Sequence, residues 1–234
     1  MNIIIFGASG MVGQGVLREC LRAPGVGKVL AVGRSALSLQ PPRLTQLVTP
    51  DLFDLDAHQS ELEGFDACFF CLGVSSAGMR PEQYRHMTYE LTVSVASRLA
   101  HRNPAMTFIY VSGAGTDSTE SGRSMWARVK GATENALLRL PFKAAYMFRP
   151  GIILPLDGIQ SKTRSYQLFY RCFGPLLGGL YRLHPGAMTT TSQMGLAMLR
   201  LAFKGWPQTV LDGRAINTAA QQQAIHLLHN ARQI

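Results

Sequence analysis

The chain has 234 residues, 47% of them apolar, and carries 23 Lys+Arg against 14 Asp+Glu, a formal net charge of +9. That is enough apolar sequence for a full core, with no Ser/Gly/Pro-rich linker to divide it, and no apolar run approaches the roughly 18 to 20 residues that cross a bilayer. The basicity is uneven: residues 1–120 hold 9 Lys+Arg and 11 Asp+Glu, whereas 121–234 hold 14 and 3. The second half is therefore the part expected to attract an anionic cofactor, substrate or surface. The N-terminus enters a strand almost at once, without a basic region or cleavage site, which predicts a cytoplasmic location.

The first element fixes the reading of the rest. Ile3-Ile4-Ile5 reads as a buried strand, and it runs into Gly7, Gly10 and Gly13 before a helical pattern begins at Met11. Gly7 suits the tight turn, Gly10 allows close approach of a ligand to the main chain, and Gly13 removes a side chain where the helix passes the strand. The free N–H groups of the helix's first turn, with the positive end of its dipole behind them, suit a pyrophosphate. Gly7, Ser9, Gly10, Met11 and Val12 are accordingly expected at a dinucleotide.

Further on, Pro24-Gly25 turns the chain into a second strand, Val29–Gly33, which ends at Arg34. An NAD-binding unit of this kind places an acidic residue about 20 residues past the glycines to hold the ribose hydroxyls. Here position 34, which is 21 after Gly13, is arginine, and a guanidinium suits a 2′-phosphate. NADP is therefore preferred to NAD. A third strand over 44–48 leads to Asp51 and Leu52, placed where an adenine edge could lie, and to a short helix capped by Asp54 or Asp56.

Strand four, 67–72, delivers Cys71-Leu72-Gly73 to the diphosphate-ribose region, and Cys68 and Cys71 should face opposite sides of the sheet, as reduced thiols rather than a metal or redox pair. Pro81 opens a long helix carrying His86 and His101, both read as surface or capping residues. Strand five, 107–111, brings Val111 and Ser112 to a C-terminal strand edge, and a helix over 124–140 carries Trp126 and Lys130 on one face. Strand six, 145–148, ends in Arg149-Pro150-Gly151. Alternating strands and helices predict an α/β fold with a doubly wound parallel sheet.

The landmarks Gly7-x-x-Gly10-x-x-Gly13, Arg34, Cys71-Leu72-Gly73, Val111-Ser112, Lys130 and Arg149-Pro150-Gly151 together resemble the atypical short-chain dehydrogenase/reductases. Within them the chain is similar to the NADPH-binding branch around the Tat-interacting protein, and more distantly to sugar-nucleotide epimerase-like and NmrA-like proteins. The resemblance implies one Rossmann domain over 1–234, with 152–234 supplying a small substrate-side lobe. It implies a cofactor held by the glycine turn, Arg34, Asp51, Leu52, residues 71–73, Val111, Lys130 and residues 149–151. It also implies Ser112 at a substrate carbonyl and Lys130 at the nicotinamide ribose. A tyrosine four residues before that lysine would exchange a proton with the substrate oxygen, but Trp126 stands there, and an indole N–H is not an acid of useful strength. Tyr84 and Tyr110 are the candidate stand-ins.

After strand six, 165–183 interleaves aromatics with arginines, which suggests core packing, an apolar-substrate pocket or a weak contact with anionic membrane surfaces. Thr189-Thr190-Thr191 is expected to cap a helix over 195–203, followed by a strand over 209–211 and a helix to 229. No motif supports specific nucleic-acid binding. Two functions follow: an NADP-dependent oxidoreductase or epimerase acting on a small carbonyl or sugar-like molecule, or a cofactor-bound regulator with little turnover.

Overall fold

The computed structural model describes residues 1–156 and 188–231. Its core is a parallel sheet of seven strands in the order β3-β2-β1-β4-β5-β6-β9. The strands are β1 (Asn2–Phe6), β2 (Lys28–Gly33), β3 (Leu44–Val48), β4 (Ala67–Phe70), β5 (Thr107–Val111), β6 (Ala144–Arg149) and β9 (Val210–Asp212). The chain order reverses between β1 and β4, and at such a switch point the loops diverge and leave a crevice at the carboxyl ends of the strands.

The strands read as continuous apolar runs because both faces of the sheet are covered. Ile3 and Ile5 enter one core with Val16 and Leu17 of α1 (Met11–Arg22), and Ile4 and Phe6 enter the other. That second core also takes Leu91, Val95 and Leu99 from α3 (Leu91–Arg102). Cys68 lies in the second core while Cys71 packs against the first, so the two thiols do face opposite sides. Burial raises both pKa values, that of Cys71 to about 12, which keeps them protonated.

The helix expected from Pro81 begins as α2 (Pro81–Arg85) and reaches Arg102 through a π-helical turn, His86–Glu90. His86 spends its ring on that turn's surface, with Nδ1 2.7 Å from Glu90 and the ring stacked 4.5 Å from Phe53. Neither Asp54 nor Asp56 caps the short 3₁₀ helix Asp56–Leu62, whose N-cap is Leu55, because the Asp54 carboxylate accepts from the Asp56 N–H in a local turn instead.

Two short strands were not visible in the sequence pattern: β7 (Ile152–Leu154) pairs in parallel with β8 (Met188–Thr190), and three residues are too few to show an alternation. After them, α5 (Thr191–Lys204) starts four residues earlier than the apolar periodicity suggests. Its start is set by a capping box: Thr190 Oγ1 accepts from Gln193 N at 3.1 Å, and Gln193 Oε1 accepts from Thr190 N at 2.8 Å. α5 packs on α1, β9 extends the main sheet beside β6, and α6 (Gly213–Ala231) packs on α5. The 165–183 segment lies outside the described residues. Among those described, no helix is long and apolar enough to cross a membrane.

Candidate functional site

The crevice at the switch point is a cleft of about 520 Å³. Its floor is the glycine turn. Gly7 sits at φ +80°, where a Cβ would lie 2.9 Å from the Leu72 amide nitrogen, and a Cβ on Gly13 would lie 2.1 Å from the Gly7 carbonyl oxygen. Both positions are therefore closed to any side chain, and the turn keeps its main chain bare toward the cleft. Gly10 is the N-cap of α1, no side chain caps that helix, and no acidic residue occupies its first turn. The first-turn N–H groups have no partner within the helix, so they form a cradle for an anion.

At one end of the cleft lies Arg34, exposed on the β2 side and making no hydrogen bond or ion pair among the described residues. Nearby, Gln46 pins the adjoining loop, accepting from Leu37 N at 2.7 Å and donating to the carbonyls of Leu37 and Leu39. Leu52, Cys71, Leu72 and Gly73 line the walls. Asp51 does not. Its Oδ1 accepts from the Phe53 N–H at 2.8 Å, which turns the carboxylate into its own loop.

At the other end are Val111, Ser112 and Lys130, which also line an adjoining recess of about 820 Å³. Lys130, on α4 (Met125–Leu138), donates to the carbonyls of Ser112 at 3.1 Å and Val111 at 3.4 Å, and lies 5.4 Å from the centre of the Tyr110 ring. Burial lowers its pKa to about 8, with Glu134 pulling the other way. Ser112 is 8% exposed, and its Oγ lies 2.8 Å from Thr116 Oγ1, which also reaches the Gly113 carbonyl at 2.8 Å. If Thr116 donates to that carbonyl, Ser112 must donate to Thr116, and only its lone pairs then face outward. To donate to a substrate carbonyl, Ser112 must have this pair turn over. Thr116 escaped the sequence reading, although a Ser-Gly-Ala-Gly-Thr run directly after a strand is a signal for it.

The recess is walled by Trp126, Tyr84 and residues 150–153. Trp126 sits over Gly115, where a Cβ would touch the indole at 3.4 Å. Tyr110 is no substitute acid. It is fully buried, and desolvation pushes its phenol well above the ordinary tyrosine range, so it belongs to the core. Tyr84 is 2% exposed yet lines the recess.

Two expected cofactor contacts change place. Pro150 and Gly151 line the recess rather than the cleft. Arg149 lines neither, because its Nε lies 3.1 Å from both oxygens of Glu134 and its Nη2 donates to Glu134 and to Ser118. Glu134 is 1% exposed, and a buried carboxylate claims the nearest guanidinium.

No family model matches the chain. Solved structures match it closely in architecture. An oxidoreductase of the short-chain dehydrogenase/reductase family from Burkholderia thailandensis superposes with a TM-score of 0.66 at 18% identity over 97% of both chains. UDP-glucuronic acid 4-epimerase from Bacillus cereus, in complex with NAD, gives 0.67 at 13% identity over 91% of this chain and 78% of that one. The fold these structures share with the chain is a Rossmann-type α/β sheet. In sequence, the mitochondrial protein fmp52 of Emericella nidulans is 25% identical over 211 residues, covering 87% of this chain and 88% of the relative. Protein HTATIP2 of Rattus norvegicus is 27% identical over 177 residues, covering 75% and 71%. The relatives named as mitochondrial overturn the cytoplasmic location read from the N-terminus.

Proposed function

We propose that the chain is an NADP(H)-dependent oxidoreductase of the short-chain type, acting slowly on a small carbonyl compound. The supporting observation is the guanidinium of Arg34, unpartnered among the described residues, in the cleft that the bare glycine turn floors. The residues present suit the cofactor: main-chain donors for the diphosphate, a free cation for a 2′-phosphate, and no carboxylate lining that end among the described residues. When bound, the nicotinamide supplies or accepts a hydride. Lys130 then holds the ribose side of the cleft, Ser112 orients the substrate oxygen, and Trp126 forms an apolar wall where the superfamily resemblance expects a proton donor.

Oxidoreductases and epimerases share this frame, and the two differ in whether the cofactor ends the cycle in a changed oxidation state or returns to its starting one. Trp126 supports a second reading, in which the chain holds the cofactor and turns over little, because no phenol stands beside the substrate oxygen. Binding titrations separate the cofactors. NADPH is expected to bind more tightly than NADH, by about 10- to 100-fold for a charge-assisted contact of roughly 1.5–3 kcal/mol, and Arg34→Asp should erase that preference. Equal affinities in the wild type would refute the NADP assignment. Steady-state assays with a panel of aldehydes and ketones then separate slow turnover from none.

A further inference from the structure

We propose that a separate recess, at the opposite end of the sheet from the glycine turn, binds a phosphate-type oxyanion through Arg200, Lys204 and Trp206. The recess measures about 780 Å³ and is lined by Tyr146, Arg200, Lys204, Trp206, Thr218 and Gln222, among others. It lies at the amino end of β9, whereas the glycine turn follows the carboxyl end of β1 in the same parallel sheet.

Three observations converge on an anion. First, Arg200 and Lys204 are four residues apart on α5, so both cations share one face. Second, Arg200 Nε and Trp206 Nε1 are buried and have no hydrogen-bond partner among the described residues. A buried donor left unmade costs about 1–3 kcal/mol, so two in one recess mark a place for an acceptor. The main chain that carries the indole is fixed: Tyr146 Oη accepts from the Trp206 backbone N–H at 3.0 Å and donates to the Trp206 carbonyl at 3.4 Å. Third, this part of the chain has almost no carboxylate to offer. Between residue 158 and the C-terminus the sequence contains one acidic side chain, Asp212, and its Oδ1 accepts from the Ala215 N–H at 2.8 Å at the far end of β9.

The chemistry selects the ligand. Guanidinium, ammonium and indole N–H are all donors, so these three groups together fit a ligand that accepts at several atoms. A tetrahedral oxyanion accepts from several directions at once, which suits an arginine fork beside a lysine point charge. The negative end of the α5 dipole opposes an anion here, worth about 0.3–1 kcal/mol, and the Lys204 charge in the last turn offsets it. The recess also gives a role to basic residues of the second half that the cofactor cleft leaves unused. The same phosphate chemistry is carried by a soluble phosphate ester or by a lipid headgroup.

The test uses Trp206 itself. In a Trp126→Phe background it is the remaining tryptophan, since the sequence has two. Titration with inorganic phosphate at constant ionic strength should change its emission saturably. The apparent affinity should fall by about tenfold or more in Arg200→Gln and in Lys204→Gln, and stay unchanged in Arg34→Gln, which removes the cation of the cofactor cleft. Calorimetry on Trp206→Phe, which keeps a ring but loses the N–H, should show the same weakening, with thermal melts confirming that each variant is folded. Co-sedimentation with phosphatidylcholine vesicles, with and without phosphatidic acid, distinguishes the sources. Sedimentation that needs phosphatidic acid and Arg200 assigns a headgroup, whereas a phosphate response without sedimentation assigns a soluble ester. No saturable response, or one that survives both Arg200→Gln and Lys204→Gln, overturns the site.

Discussion

Trp126→Tyr is the substitution that tests the chemistry most directly. Trp126 lies in the first turn of α4, one helical turn before Lys130, and both line the recess that adjoins the cleft at Ser112. A phenol at this position would stand beside a lysine whose ammonium donates to two main-chain carbonyls and, among the described residues, forms no ion pair. That charge favours the phenolate and so makes the phenol a better acid. With a pKa of about 8, Lys130 is charged in roughly nine molecules of ten near pH 7 and in about half near pH 8. The gain from the new acid should therefore be greatest below about pH 8. General acid help is worth about 10²–10⁴ in rate, and the lower end is the expectation here because Ser112 must first release Thr116 to orient a substrate. The structural cost is small: Trp126 is only partly buried, and replacing indole by phenol gives up part of its contact with Gly115, about 1 kcal/mol. The assay is single-turnover NADPH oxidation with simple aldehydes and ketones, comparing wild type, Trp126→Tyr and Trp126→Phe. A wild type that reduces these carbonyls at ordinary enzymatic rates, with no gain in Trp126→Tyr, would show that another group delivers the proton.

Competitive acetylation of Lys130, followed by mass spectrometry between about pH 6 and 11, should give a midpoint near 8. A midpoint at the ordinary lysine value would contradict its burial. Because the folded pKa lies below the unfolded one, the unfolded chain binds the extra proton between the two values. Lys130's contribution to stability should therefore rise with pH from about 8 toward 10.5, and Lys130→Met should flatten that part of a denaturation–pH profile. Arg149→Met strands the buried Glu134 carboxylate and should cost about 3–5 kcal/mol, a melting-point loss of roughly 6–20 °C in a chain of this size. Arg149→Met combined with Glu134→Leu should recover most of that loss. A stable Arg149→Met that binds NADPH poorly would return Arg149 to the cofactor.

The cofactor end and the substrate end of this site differ in how far the sequence discloses them, and the difference is physical. The glycine turn is local: a β-branched run, three glycines and a helix start lie within thirteen residues, and backbone conformation alone dictates the bare cradle. The strand edges at Cys71, Val111 and Ser112 are legible for the same reason, because period and chain order place them on one rim of a parallel sheet. Arg149 sits on that rim too, at the end of β6, but its side chain turns away from the cleft. What turns it is Glu134, on a different element 15 residues earlier, and no pattern along the chain announces a buried carboxylate that needs a guanidinium. The recess around Trp126 is built almost wholly from such meetings: Tyr84 from α2, Trp126 and Lys130 from α4, Ser112 after β5, and residues 150–153 leading into a strand pair too short to detect. A cradle built by the main chain needs no side chain beyond its glycines' absence of one, whereas the recess depends on which side chains meet there. Trp126 makes the point at a single position: the helix, the turn and the lysine that a tyrosine would need are all in place, and the one group that would do the proton chemistry is the one that backbone geometry does not specify.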